Sequence, residues 1–225
     1  MDTTLARHVR EYRSPLAEPE RRLLIWLAGR LPARITSDQL TLLGLASTLA
    51  GGLAFWGARM EPLWLLAVVP ALAANWFGDS LDGTLARVRN RQRPRYGYYV
   101  DHVIDLLGAL FLLGGLALSG YMSPIVALGL LAAYLMVSAE VFLATHARGV
   151  FRMSFAGVGP TELRLILAVG VLRLLQDPWV DLGALGRHLL FDVGGAIAIV
   201  GLGAALAVSM LRNTRALYRA EPVSR

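Results

Sequence analysis

The chain has no cysteine, which removes disulfides, thiolate catalysis and cysteine-ligated metals together. It has no lysine either. All 22 basic residues are arginine, amid an abundance of Ala, Leu and Gly, and we read this bias as that of a GC-rich bacterial genome. No apolar run precedes the first basic cluster, so residues 1–37 lack the h-region of a signal peptide and are expected to stay in the cytoplasm. No internal repeat is visible. Charged residues make up only 17% of the chain and hydrophobic ones 56%, with positive mean hydropathy. That balance is too apolar for an ordinary soluble domain and points to an all-α polytopic membrane protein.

Apolar runs of membrane length and their breaks predict six transmembrane helices, near 38–57, 62–87, 97–119, 124–147, 161–176 and 188–211. The chain then divides into a cytoplasmic or interfacial segment (1–37), a six-helix membrane domain (38–211) and a cytoplasmic tail (212–225). Within the first segment, Leu23, Leu24, Leu27 and Leu31 recur at helical spacing opposite Arg21, Arg22 and Arg30. Residues 19–31 therefore read as an amphipathic helix lying on the inner leaflet or on the protein's own cytoplasmic face, with Trp26 at headgroup depth. Of the arginines, 19 fall in the N-terminal segment, the 87–97 turn, the 147–164 region and the tail, and Arg59, Arg173 and Arg187 fall on the other side. The positive-inside rule places both termini in the cytoplasm. Trp56, Trp64, Tyr121 and Trp179 at the outer ends and Trp76, Tyr96, Tyr98 and Tyr99 at the inner ends read as aromatic belts.

The stretch Asp79–Asp105 stands out. It contains four aspartates, Asp79, Asp82, Asp101 and Asp105, beside segments long enough to cross a bilayer. At about 100° per residue, Asp79, Asp82, Gly83, Ala86 and Arg87 share one side of a helix, and Gly97, Asp101 and Asp105 share one side of the next. Two such helices can pack antiparallel and aim all four carboxylates at one volume, a site for hard divalent cations and, through them, phosphate. One ionised Asp at the bilayer centre costs roughly 2.5–3.5 kcal/mol and less near the interface, so four on neighbouring helices require an offset such as a bound metal pair. Gly83 and Ala86 let a flat group approach the helix backbone, and Arg87 offers a forked donor to phosphate.

These residues, in the order D-x-x-D-G-x-x-A-R, then G-x-x-x-D-x-x-x-D, resemble the signature of the CDP-alcohol phosphotransferases. One departure is visible: Val88–Tyr96 places nine residues between the Arg and the second Gly, where the family usually has eight. The resemblance implies an enzyme of phospholipid biosynthesis that moves a substituted phosphate from a CDP-alcohol to an acceptor hydroxyl and releases CMP. It implies Mg²⁺ or Mn²⁺, two ions per site, held by Asp79, Asp82, Asp101 and Asp105, with Asp105 also the general base. It implies that Gly83, Ala86, Arg87 and Gly97 surround the cytidine nucleotide. The segment I-T-S-D-Q-L-T resembles the family's T-P-N-x-L-T element, which makes Asp38 a nucleotide-site candidate, although Ser37 or Asp38 also serves as an ordinary helix cap. CDP-alcohol, acceptor alcohol and membrane lipid are the implied partners, nucleic acid is not, and homodimers are common in the family. Gly108, Ala109, Gly114 and Gly115 would permit close helix packing. The arginine distribution puts the aspartate site on the cytoplasmic side as well, and a bacterial inner membrane is the expected location.

Other polar residues leave alternatives open. Glu140, His146, Arg148, Arg152 and Arg164 either line an acceptor pocket or, as a Glu–Arg pair, stitch the fourth and fifth spans. Converging arginines would suit a phosphorylated polyol, whereas Glu140 and Tyr134 would suit a choline-like cation. Pro160, Thr161 and Glu162 read as the start of the fifth span, and His188 and Asp192 as structural. Two other classes compete. An intramembrane prenyltransferase would use a motif faintly like Asn75–Asp82 but lacks the G-x-x-A-R feature. A divalent-cation carrier would place its charges near the midplane of two related halves.

Overall fold

A computed structural model describes residues 9–11, 16–152 and 159–221. The protein is an all-α polytopic membrane protein, with helices α1 (Ala17–Arg30), α2 (Ser37–Gly57), α3 (Leu65–Val88), α4 (Pro94–Ser119), α5 (Pro124–Arg148), α6 (Pro160–Leu174) and α7 (Leu190–Ala220). Five helical segments are long and apolar enough to cross a membrane: α2, α3 with its leading 3₁₀ turn from Pro62, α4, α5 and α7. The fifth predicted span, α6, has 15 residues, about 22 Å of helix against a hydrocarbon core of about 30 Å. Beyond α6 the chain forms a small antiparallel hairpin, β3 (Trp179–Asp181) with β4 (Arg187–Leu189), which takes residues that the hydropathy pattern assigned to the start of the last span. The last helix runs on to Ala220, well past the predicted end at 211. A short parallel pairing, β1 (Val9–Glu11) with β2 (Val150–Arg152), adds an unpredicted contact between the N-terminal segment and the chain after α5.

Local chemistry explains the boundaries. Thr36, and neither Ser37 nor Asp38, caps α2: its hydroxyl accepts from the Gln39 N–H at 3.2 Å while the Gln39 side chain accepts from the Thr36 N–H at 2.9 Å. Prolines open α4, α5 and α6, where the missing N–H costs nothing. Gly120 and Gly149 end α4 and α5 at φ of +82° and +68°, left-handed positions that favour glycine.

Helix α2 is the centre of the packing. Both α3 and α4 lie along it and make little direct contact with each other, so the expected antiparallel pairing of the two aspartate helices is mediated by α2. Small residues permit the approach. A Cβ at Gly78 of α3 would stand 2.5 Å from the Leu40 carbonyl oxygen and 2.6 Å from the Gly44 nitrogen; one at Gly115 of α4 would stand 2.0 Å from the Gly52 carbonyl oxygen. Gly108 packs less tightly, on the Thr48 side chain, with its Cβ position 3.2 Å from the hydroxyl. Gly108 and Gly115, offered by the sequence as dimer contacts, are thus engaged within the chain, while Gly114 has open space around it.

The apolar core lies away from the aspartates, around Phe55, Leu65, Val68, Leu116, Val171 and Phe191. A second cluster seats α1 through Leu24 and Ala28 on Leu40, Leu81 and Leu85. On the outer face of α1, Trp26 is exposed and carries the Arg30 guanidinium 3.8 Å above its ring, as a headgroup-level residue would. Two residues read as belt anchors have other roles. Trp76 donates its indole N–H to Glu20 of α1, and Tyr98 packs on His102.

Gly115→Ala is expected to destabilise the protein by about 2 kcal/mol, as overpacking does, and Gly114→Ala to be neutral or slightly stabilising. Thermal unfolding in detergent checks both.

Candidate metal and phosphate site

The four aspartates come from the facing parts of α3 and α4, with α2 beneath. Asp82 is 9% exposed, accepts from the Thr41 hydroxyl of α2 at 2.5 Å, and takes a second hydrogen bond from the Gly83 N–H. Asp79 forms an ion pair with Arg164 of α6, Nη2 to Oδ2 at 2.5 Å. The same guanidinium donates Nε to the Asn75 Oδ1 at 2.7 Å, and Asn75 donates to the Gly44 carbonyl at 3.0 Å. Arg164 is therefore aimed by α3 and, through Asn75, by α2. Its remaining nitrogen, Nη1, is buried without a hydrogen-bond partner among the described residues.

On α4, Asp101, His102 and Asp105 offer ligand atoms that all lie within 4.8 Å of one another. Asp105 lies within electrostatic range of Asp79, Asp82, Asp101 and Arg164, which ties the two carboxylate pairs into one site. His102 is buried beside Asp101, its ring stacked on Phe142 of α5 at 5.1 Å and against Tyr98 at 4.2 Å. Tyr134 of α5 lies in range of Asp105 and Asp79. The donor set fits a divalent cation. Carboxylate oxygens dominate, they come from two helices that both pack on α2, and Arg164 pairs with Asp79 beside them.

The nucleotide candidates occupy the margin. Arg87 folds along α3, donating to the Thr84 hydroxyl at 2.9 Å, and its guanidinium lies 3.4 Å from where a Gly83 Cβ would be. Ala86 lies on the same face, half-buried, and Gly97 stands in open space at the start of α4. Asp38 is held by Arg93 of the α3–α4 turn in a two-pronged ion pair, 2.5 and 2.6 Å, with about half of each side chain exposed.

The acceptor candidates separate. Among the candidates whose side chains are described, Arg164 alone joins the aspartates. Glu140 accepts from Ser209 at 2.7 Å and from Asn213 at 2.6 Å, both on α7, and Arg148 donates to the Asn213 side-chain Oδ1. That network stitches α5 to α7, where the sequence suggested α5 to α6. His146 is exposed, and Arg152 is placed by its backbone in β2, its side chain lying outside the described residues. Three contributors escaped the sequence reading: Thr41, Asn75 and His102. Each carried a signal. Thr41 is the Thr of the L-T element, Asn75 lies one helical turn before Asp79, and His102 lies three residues before Asp105.

Residues 34–211 match the profile of the CDP-alcohol phosphatidyltransferase family. A phosphatidylinositol phosphate synthase of Streptomyces avermitilis is 37% identical over 86 residues; the match covers 37% of this chain and 32% of that protein's length.

Because Arg164 supplies opposite charge to Asp79 at 2.5 Å, Arg164→Gln and Asp79→Asn are each expected to cost about 3 kcal/mol of stability, and the double variant clearly less than their sum. A double-mutant cycle on unfolding in detergent measures the coupling.

Proposed function

The chain belongs to the CDP-alcohol phosphatidyltransferase family, and from this we propose that it transfers a substituted phosphate from a CDP-alcohol, CDP-diacylglycerol being the expected donor, to an acceptor hydroxyl, with release of CMP. The observation that carries the reading is the gathering of Asp79, Asp82, Asp101 and Asp105 from α3 and α4 into one electrostatic site beside Arg164. In this reading the four aspartates hold two Mg²⁺ or Mn²⁺ ions. Bound there, the ions would supply positive charge to the donor's diphosphate. Gly83, Ala86, Arg87 and Gly97 line the cytidine nucleotide, and the Asp38–Arg93 pair closes one side of it.

Asp105 is the general base. It takes the proton of the acceptor hydroxyl, whose oxygen forms the new P–O bond at the β-phosphorus as the bond to the departing CMP breaks. Asp82, fixed by Thr41 and the Gly83 N–H, keeps its orientation through the cycle. Between the two acceptor classes, the phosphorylated polyol has the better support. A relative bears the name phosphatidylinositol phosphate synthase, and the Arg164 Nη1, buried beside the carboxylates, is an unsatisfied donor that an anionic oxygen would complete. The enzyme works as a homodimer in a bacterial inner membrane with this site on the cytoplasmic side, in keeping with the arginine distribution.

Thermal stability in detergent tests the reading. With Mg²⁺ or Mn²⁺ present, CMP or CDP at about 100 times its Kd is expected to stabilise the wild type by about 2.7 kcal/mol. Chelation of the metal or Asp82→Asn should abolish the effect. A response to prenyl diphosphate in place of cytidine, or to metal alone, would refute it. Asp105→Asn is expected to lower CMP release at least ~100-fold, the low end for a general base, while keeping the cytidine response; unchanged turnover would remove Asp105 from its role.

A further inference from the structure

Glu20 lies outside the aspartate site, yet a single oxygen of its side chain joins three helices. Its Oε1 accepts from the Trp76 indole N–H at 2.7 Å and the Ser80 hydroxyl at 3.4 Å, both on α3, and from the Thr161 hydroxyl of α6 at 2.6 Å. Trp76 and Ser80 flank Asp79 along α3, and Thr161 lies one turn before Arg164 on α6. The junction therefore stands within about one turn of each partner of the Asp79–Arg164 ion pair.

Docking α1 does not require this carboxylate. Leu24 and Ala28 already seat the helix on Leu40, Leu81 and Leu85, and apolar burial is sufficient to hold an amphipathic helix. Apolar contact is non-directional and tolerates sliding. Hydrogen bonds of 2.6 and 2.7 Å to donors on two different helices do not, because they weaken steeply with distance and angle. Partial burial of a carboxylate at a membrane edge is also costly unless its partners are in place.

We propose that Glu20 is a positioning residue: acting from α1, it sets the spacing of α3 against α6 and thereby holds Asp79 and Arg164 in register. Its catalytic consequence rests on the phosphotransferase reading; its geometric one does not. Because the three hydrogen bonds converge on one oxygen, Gln can accept all of them and Ala none.

The absence of cysteine makes the geometry directly measurable. Val88 of α3 and Leu163 of α6 are 43% and 58% exposed, so V88C and L163C accept a spin-label pair without background, and double electron–electron resonance then reads the α3–α6 distance. A narrow distribution is expected with Glu20 and with E20Q, and a broadened or shifted one with E20A. CMP release should fall ~10- to 100-fold in E20A, as for a misplacement near 1 Å, with the loss mainly in kcat, and E20Q should restore it to within a few fold. T161V, which removes only the α6 contact, should reproduce the broadening and the kcat loss, and it decides the matter if E20A does not fold. A lowered Tm in E20A together with an unchanged distance distribution and unchanged kcat would overturn the proposal and leave Glu20 a staple for α1. Should the wild type itself release no CMP and ignore cytidine nucleotides, the functional reading fails, and the distance measurement still decides the role of Glu20.

Discussion

Backbone against backbone is the contact on which this protein depends. Where Gly78 meets Leu40 and Gly44, and where Gly115 meets Gly52, no side chain intervenes. In a bilayer, helices gain little from the hydrophobic effect on associating, and close van der Waals packing must supply the cohesion instead. Helix α2 supplies it to two neighbours at once. It is a spine, with α3 and α4 laid along it.

That arrangement shapes the chemistry. Had α3 and α4 packed on each other, their aspartates would have been forced into contact, with like charges at short range. With α2 between the helices, the two carboxylate sets still lie within electrostatic range of one another, and α2 contributes Thr41 to hold Asp82 still. Around this frame the polar contacts act as braces. Arg164 reaches in from α6, Asn75 steadies it, and three backbone carbonyls at Leu31, Pro32 and Ile35 receive Arg89 from the end of α3. The last of these ties the α1–α2 connection to the helix that carries Asp79 and Asp82.

How far the sequence could lead varied with the range of the interaction. Helical phase is local, so Asp79, Asp82, Asp101 and Asp105 could be placed on two faces from spacing alone, and five of the spans could be bounded within a few residues at nearly every end. Partners distant along the chain could not. Glu140 meets Ser209 and Asn213, about seventy residues away, and neither residue type announces such a pairing. The indole of Trp76 looked like a headgroup anchor because tryptophan so often is one; only the folded chain brings Glu20 to it. Thr36, Ser37 and Asp38 are all residue types that cap helices, and the Gln39 side chain that completes the box decides among them. The hairpin at 179–189 went unseen because strands of three residues leave no alternation to read.

The length of α7 has a consequence for how the molecule sits in its membrane. Its 31 residues make about 46 Å of helix, some 16 Å more than the hydrocarbon core can hold upright. Tilt can absorb part of that excess. The rest must stand clear, and Arg212, Arg215 and Arg219 fix which end it is: spaced by three and four on one side of the helix, they resist immersion at roughly 2.5–3.5 kcal/mol each at the bilayer centre. They act as a waterline. Since Asn213 lies among them and is bonded to Glu140 and Arg148, α5 is moored to that line, and its depth follows the level of the lipid headgroups.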